Sequence, residues 1–336
     1  MFKKLSLILL SLLLLTGCME LPEEEQDAIA QIPPSAVYTE ASTEPITTTA
    51  EPLPNQEEYS LRRLFYLYTY EMGNDELGDY YYFSQYGQNT IEMELRPRQS
   101  IPNVTQSGVL LFVDGYPQLY STSNSTTLSY LHPETIEYSQ EHTKLKFTPV
   151  RGIQGDMPEF VWFNINEPDS FPETLEEAVY HHTGGAQGST RRIMMCATPE
   201  PVPVFSSAYP LPCIKTSEPM ENNGDVNWTF TVNGENNIFL DGITADTPLN
   251  IEVECWGMDG AKFTIVVFVD NEPVRDIWEV TMIHGQKMHL SGELWLDDFD
   301  GSAVIYAVLV PRNTTDPKFD YISFYPMASQ TYYLTD

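Results

Sequence analysis

Leu111-Phe112-Val113-Asp114-Gly115-Tyr116-Pro117 and Val267-Phe268-Val269-Asp270-Asn271-Glu272-Pro273 share one pattern: three apolar residues, a turn pair and, two positions on, a proline. Branched and aromatic side chains in a short run suit a pleated, half-buried strand. The pairs Asp114-Gly115 and Asp270-Asn271 tolerate the positive φ that a two-residue hairpin needs. Pro117 and Pro273 lack the N–H that a central ladder requires, so each belongs at an edge. Each block therefore predicts a strand, a tight turn and a short returning strand.

Further correspondences extend outward in the same order. Ile91-Glu92-Met93-Glu94-Leu95 matches Ile251-Glu252-Val253-Glu254-Cys255. Lys144-Leu145-Lys146-Phe147 is set against Lys287-Met288-His289-Leu290, and Phe160-Val161-Trp162-Phe163 against Val304-Ile305-Tyr306-Ala307. The spacers differ, the first copy carrying a longer insertion over 120–138. The chain thus reads as an internal duplication.

Strand-like runs fall at 64–70, 91–95, 109–113, 144–147, 160–165, 228–232, 251–255, 263–269, 287–290 and 304–310. Helical periodicity is scarce, the best candidate being 172–181, where Glu173 to Glu177 open a short helix after Pro172. Roughly seven strands per copy, with turn signals about every ten residues, favour an all-β fold of two sandwiches over a closed barrel. The expected domains are 59–197 and 225–336. Between them, 198–224 is read as a stiff connector, because six prolines stand from Pro199 to Pro219 and proline at that density forces extended backbone.

On these runs and their order the chain resembles tandem immunoglobulin-like domains of bacterial surface proteins. It departs from the antibody pattern: Cys255 ends an early strand, the matching late strand has Tyr306 and Ala307 where a partner cysteine would stand, and no Trp lies on the Phe268 strand. The resemblance therefore rests on strand number and order alone.

The N-terminus carries a different signal. Lys3 and Lys4 precede residues 5–15, an apolar run broken only by Ser6 and Ser11. Eleven residues rise about 16 Å as a helix, too little to span a hydrocarbon core of about 30 Å. Residues 1–17 read as a cleaved export signal. Leu15-Thr16-Gly17-Cys18 resembles the lipobox of bacterial lipoproteins. That resemblance implies diacylglycerol on the Cys18 sulfur, cleavage before Cys18, and residence at the cell membrane facing outside the cytoplasm. Residues 18–58 are then a disordered tether. From residue 19 on it has ten acids, six prolines and no Lys or Arg, and too little apolar surface to offset its ordering entropy. As a flexible coil its 40 residues span about 35 Å.

The full chain of 336 residues has 48 acidic and 17 basic side chains, a formal net charge of −31. Losing residues 1–17 removes two lysines and no acid, leaving 15 basic residues against 48 acids, or −33. A field of that sign repels phosphate, so a nucleic-acid partner is excluded. With 42% apolar and 12% aromatic residues, the chain has material for packed cores.

Candidate sites are few. Tyr80, Tyr82 and Tyr86, in and beside Tyr80-Tyr81-Tyr82-Phe83, are weak candidates for binding, since exposed rings stack on sugars and anchor interfaces. Cys196 and Cys213 flank the connector and are candidates for a staple or a free pair, whereas Cys255 reads as a small buried hydrophobe. His181-His182 lead into the glycine-rich stretch 183–190: neighbouring residues on a strand point to opposite faces, so the two imidazoles do not converge on one metal, and the stretch lacks the Lys and the strand-to-helix setting of a phosphate cradle, so it reads as a mobile surface loop. Glu293, Asp297, Asp298 and Asp300 surround Gly301, but the twelfth position of a calcium loop would fall on Val308 or Leu309, so this reads as a solvated acidic turn. No zinc spacing and no G-x-S-x-G, S-x-x-K or H-E-x-x-H motif occurs, and no cofactor or metal is expected.

The expected function is that of a lipid-anchored, extracytoplasmic binding or structural protein of the cell envelope. Its partners would be the membrane, through Cys18, and a cell-wall polymer or a protein ligand. Two other classes stay open: an envelope hydrolase acting on carbohydrate or peptidoglycan, and an accessory solute-binding lipoprotein, which would need two helix-rich lobes.

Overall fold

The computed structural model describes residues 65–68, 72–75, 78–82, 91–97, 104–135, 143–149, 159–183, 188–194, 209–221, 224–312 and 325–336. In chain order the first set of strands is β1 (Phe65–Tyr68), β2 (Met72–Asp75), β3 (Gly78–Tyr82), β4 (Ile91–Pro97), β5 (Gln106–Val113), β6 (Tyr116–Pro117), β7 (Ser121–Thr122), β8 (Glu134–Thr135), β9 (Thr143–Phe147), β10 (Glu159–Asn166) and β11 (Gly188–Met194). One short helix, α1 (Leu175–Ala178), lies between the last two. The second set is β12 (Ile214–Pro219), β13 (Asn227–Val232), β14 (Phe239–Leu240), β15 (Leu249–Trp256), β16 (Lys262–Val269), β17 (Glu272–Pro273), β18 (Trp278–Thr281), β19 (Gln286–Leu294), β20 (Ser302–Pro311), β21 (Met327–Ala328) and β22 (Tyr332–Thr335).

The fold is all-β, two tandem immunoglobulin-like sandwiches. The first pairs a four-stranded sheet, β1-β4-β9-β7, with a seven-stranded sheet, β2-β3-β11-β10-β5-β6, to which β8 adds on β5. The second pairs β12-β19-β15-β13 with β14-β22-β20-β16-β17, to which β18 and β21 add on β16 and β20. The common order is β3-β11-β10-β5-β6 in one and β14-β22-β20-β16-β17 in the other, including the parallel pairs β3–β11 and β14–β22. The repeat read in the sequence is a repeat of topology.

The quoted turns have the expected geometry. Asp114 and Gly115 have φ of 50° and 80°, and Asp270 and Asn271 have 49° and 66°. Positive φ at both central residues is the type I′ turn, whose twist matches the flanking strands. The turns close β5–β6 and β16–β17, and Phe112 and Phe268 pair with Pro117 and Pro273.

Pairing also revises two of the sequence matches. Phe160 pairs with Val113, and Ile305, not Val304, pairs with the equivalent Val269. So Phe160 corresponds to Ile305 and Val161 to Tyr306, one residue away from the match by composition. A one-residue shift sends every side chain to the opposite face of the sheet. Likewise Met93 pairs with Leu145 and Val253 with Leu290, which makes Leu145 the counterpart of Leu290. That shift is two residues and leaves the faces unchanged.

Each sandwich has its own interior. Ile91, Met93, Leu145 and Phe147 pack on Val109, Leu111, Val113, Phe160 and Trp162 in the first. Phe230, Ile251, Val253, Cys255 and Leu290 pack with Phe263, Ile265, Val267, Ile305 and Ala307 in the second. Cys255 is fully buried, and burial pushes its thiol up to about 12, as a small hydrophobe in an apolar core requires. Within the span read as connector, Ile214–Pro219 is strand β12, at the sheet edge beside β19. Upstream of it Leu211 is buried, the Trp278 indole donates to its carbonyl at 2.9 Å, and its N–H donates to the Asp276 carboxylate at 2.7 Å.

A third core lies between the sandwiches. Leu110, Phe112, Val161, Phe163 and Ile165 meet Val266, Phe268, Tyr306, Val308 and Val310. The seven-stranded sheets are therefore covered on both sides, and β5, β16 and β20 are buried along nearly their whole length. The seam has approximate two-fold character, because the equivalent rings Phe112 and Phe268 touch edge-on at 6.2 Å. Each copy's type I′ turn also reaches residues just past the long strand of the other. Arg312, after β20, pairs with Asp114 at 3.4 Å, and the Asn271 amide donates to the carbonyl of Pro168, after β10, at 2.9 Å. Gly115 has room for no side chain, since a Cβ there would collide with the Thr264 hydroxyl and press on Arg312.

Candidate functional site

The seam ends in a cleft to which both sandwiches contribute. From the first come Leu175 and Ala178 of α1 with Val179 and Thr183 after it; from the second come the 236–238 turn before β14 and residues 329–331 before β22. Helix α1 is held at its start by Thr174, whose hydroxyl accepts the Glu177 N–H at 3.2 Å, while the Glu177 carboxylate accepts the Glu173 N–H at 2.8 Å. That cap presents Leu175 and Val179 outward, 64% and 51% exposed at the mouth of the cleft. The cavity holds about 640 Å³. This lies within the range of roughly 300–1,000 Å³ typical of ligand clefts.

None of the ten described lining residues is ionisable. Their polar groups are amides and hydroxyls: Asn236, Asn237, Gln330, Thr183, Ser329 and Thr331. Several are fixed internally. The Thr183 hydroxyl donates to the Ser329 carbonyl at 2.7 Å and shares a 2.6 Å contact with the Thr331 hydroxyl, tying the two sandwiches at the cleft floor. The Asn237 carbonyl oxygen accepts the Phe239 N–H at 3.2 Å, and the Gln330 amide donates to the Tyr332 hydroxyl at 2.6 Å. Chemically the arrangement can hold an uncharged group with one apolar side and several hydrogen-bonding positions.

Behind Thr183 lies His182, fully buried and with φ of 46°. Its backbone exchanges hydrogen bonds with Asn166, and its ring stands between Tyr306, at 6.3 Å, and Tyr333, at 5.7 Å. Neither ring nitrogen has a hydrogen-bond partner. Burial, then the adjacent His181, hold its pKa down at about 4; the backbone carbonyl of Pro168, which also accepts from the Asn271 amide, acts the other way. The expectation of a mobile surface loop at His181-His182 is thus corrected for His182, because the second sandwich packs over it. Residues 184–187 lie outside the described residues.

At the opposite end of the seam the Arg312 guanidinium binds Glu279 at 2.7 Å and Asp114 at 3.4 Å, and lies 5.6 Å from the centre of the Tyr116 ring. The Tyr116 hydroxyl donates to Glu279 at 2.8 Å. This is a polar clasp across the seam.

Of the residues singled out by sequence, Tyr80 and Tyr82 lie on β3, which is paired on both sides by β2 and β11. Tyr86, Cys18 and Cys196 lie outside the described residues, and Cys213 is a free thiol. Glu293, Asp297, Asp298 and Asp300 are all exposed, and among the described residues no group of three or more His, Cys, Asp or Glu side chains is placed to hold a metal ion. Among the described residues no helix is long and apolar enough to cross a membrane. The cleft itself went unread in the sequence. Its one signal was a pair of apolar residues, Leu175 on the short helix and Val179 at its C-cap, at i, i+4 spacing with no other apolar stripe to bury.

No protein-family model matches the chain, and no curated protein matches it. Two similar solved structures are the crystal structure of CBD12 from CALX1.2 and that of the calcium-binding domain CBD12 of CALX1.1. They are 10% and 8% identical to this chain, each match covers 74% of it and 93% of the other chain, and the TM-score is 0.22 in both. The fold assignment rests on the strand order and pairing of this chain.

Proposed function

We propose that this chain is a lipid-anchored, extracytoplasmic binding protein of the cell envelope, held by acyl chains on Cys18 and presenting the inter-sandwich cleft on an acidic tether. The observation that carries the binding role is the cleft: about 640 Å³, built by both sandwiches, with no ionisable group among its described lining residues and with Leu175 and Val179 exposed at its mouth. Exposed apolar side chains rimmed by amides and hydroxyls support recognition of a neutral, hydroxyl- or amide-bearing ligand, and a cell-wall polymer has that chemistry. The lipobox Leu15-Thr16-Gly17-Cys18 supports the anchor. Each buried acyl methylene adds about 0.8 kcal/mol of membrane affinity.

Two measurements test the reading. Cys18→Ser should move the protein from the membrane fraction to the soluble fraction, and retention in the membrane would refute the anchor. The full chain should co-sediment with isolated envelope polysaccharide without releasing soluble fragments, and Leu175→Asp or Val179→Asp should weaken that retention at least tenfold. Fragment release would identify a hydrolase instead, and retention untouched by both substitutions would remove the cleft from the account.

A further inference from the structure

We propose that His182 is an acid-sensitive latch between the two sandwiches, and that its protonation loosens the seam at the cleft. Three observations meet at this residue. It is held by both copies: its backbone is bonded to that of Asn166 in the first, and its fully buried ring faces Tyr306 and Tyr333 of the second. Both ring nitrogens lack partners in a site with no exposure, although buried polar atoms are nearly always satisfied. Its backbone has a positive φ, unusual for a non-glycine residue, and the next residue makes the cross-seam contacts to Ser329 and Thr331.

A neutral imidazole is tolerated in such a place; an imidazolium has two N–H donors, and the Pro168 carbonyl, shared with the Asn271 amide, can take at most one of them. The groups around it do not help. From its own segment comes His181, also a base and 6.5 Å away ring to ring. From β20 and β22 come only the phenols of Tyr306 and Tyr333, and the Tyr306 hydroxyl already donates to Asn271. The Glu167 carboxylate, after β10, is engaged by the N–H and hydroxyl of Thr105, the Gln106 N–H and the Ser170 hydroxyl. Asp270 and Glu272, on the β16–β17 hairpin, bear on Tyr306, and the only titratable neighbour whose charge bears on His182 among the described residues is His181. The charged ring therefore gains most by reaching water, and its short route runs past Thr183 into the cleft. Movement along that route breaks the Thr183–Ser329 and Thr183–Thr331 ties. A ligand held by both walls would be released as the pH falls.

The linkage fixes the sign and range. An imidazole freed to water titrates near 6.5, and the latched one near 4. The open-to-closed ratio is thus flat above about pH 6.5, rises tenfold per unit below it, and levels off near pH 4, roughly 300-fold higher. The test is amide hydrogen exchange by mass spectrometry on the full chain in detergent, corrected for intrinsic rates, at steps from pH 7.5 to 4. Wild type should show protection in 179–183 and 327–335 falling across that window, with β15 and β19 unchanged. His182→Gln should keep these segments protected at acid pH, and His181→Gln should retain the acid response. Equal acid response in wild type and His182→Gln, or none in wild type, overturns the proposal. Should His182→Gln fail to fold, imidazole C2–H exchange in the His181→Gln protein reads the latch directly: a midpoint well below 6.5 supports it, and an ordinary midpoint overturns it. Because no ligand is used, failure here leaves the cleft-binding reading to its own test.

Discussion

The two kinds of sheet in this chain solve opposite problems. In the four-stranded sheets, β9 and β15 alternate buried with exposed or half-buried residues, so one face is packed and the other meets solvent. In the seven-stranded sheets, β5, β16 and β20 are buried almost without interruption, because each has its own sandwich on one face and the other copy on its second. The difference is already present in composition: Ile-Glu-Val-Glu-Cys in β15 against Phe-Thr-Ile-Val-Val-Phe-Val in β16. An unbroken apolar strand in an antiparallel sheet marks a surface that something else must cover.

The two kinds of sheet should differ most at the seam. Truncating Phe268 or Phe112 to Ala removes an aromatic ring that both copies bury, and should cost roughly 3–5 kcal/mol in chemical denaturation. A loss under about 1 kcal/mol would mean that the faces do not share a core. Acid should come next. The His182 pKa is depressed in the fold, so protons favour the unfolded chain; stability is whole above about pH 6.5 and is lost as the pH falls toward 4. The shift from 6.5 to about 4 corresponds to about 3 kcal/mol at most, and the acid-side slope of denaturation midpoints should flatten in His182→Gln.

Gly115→Ala should cost about 1–3 kcal/mol, since it combines φ of 80° with a Cβ driven into Thr264. The equivalent turn residue, Asn271, already carries a side chain, and it bonds to Pro168 and Tyr306. At the small end, Lys146→Gln on the solvent face of β9 breaks a half-exposed pair with Glu92 at 3.3 Å and should change stability by less than about 0.5 kcal/mol. Were it to rival Phe268→Ala, the contrast between the two kinds of sheet would collapse.

Much of the fold was legible because its signals are local. Strand runs such as 251–255 and 263–269, the Asp114-Gly115 and Asp270-Asn271 turns and the short helix after Pro172 each depend on a few adjacent residues. Pairing register was less legible: matching Phe160 to Val304 by composition missed by one residue, because only the partner strand, through Val113 and Val269, fixes which face Val161 and Tyr306 occupy. The site was least legible. His182 gives no sequence cue that Tyr306 and Tyr333, more than a hundred positions away, will close over it. Leu175 and Val179 read as part of a short surface helix until the 236–238 and 329–331 segments appear opposite them.

The faces of the seven-stranded sheets, and not the chain that links them, hold the two sandwiches together. A specific protease site introduced between Pro203 and Ser207, cut to completion at pH 7.5, tests it directly by size-exclusion chromatography. Both pieces should stay together and elute with the intact 38.2 kDa chain. Two folded pieces eluting separately would contradict it.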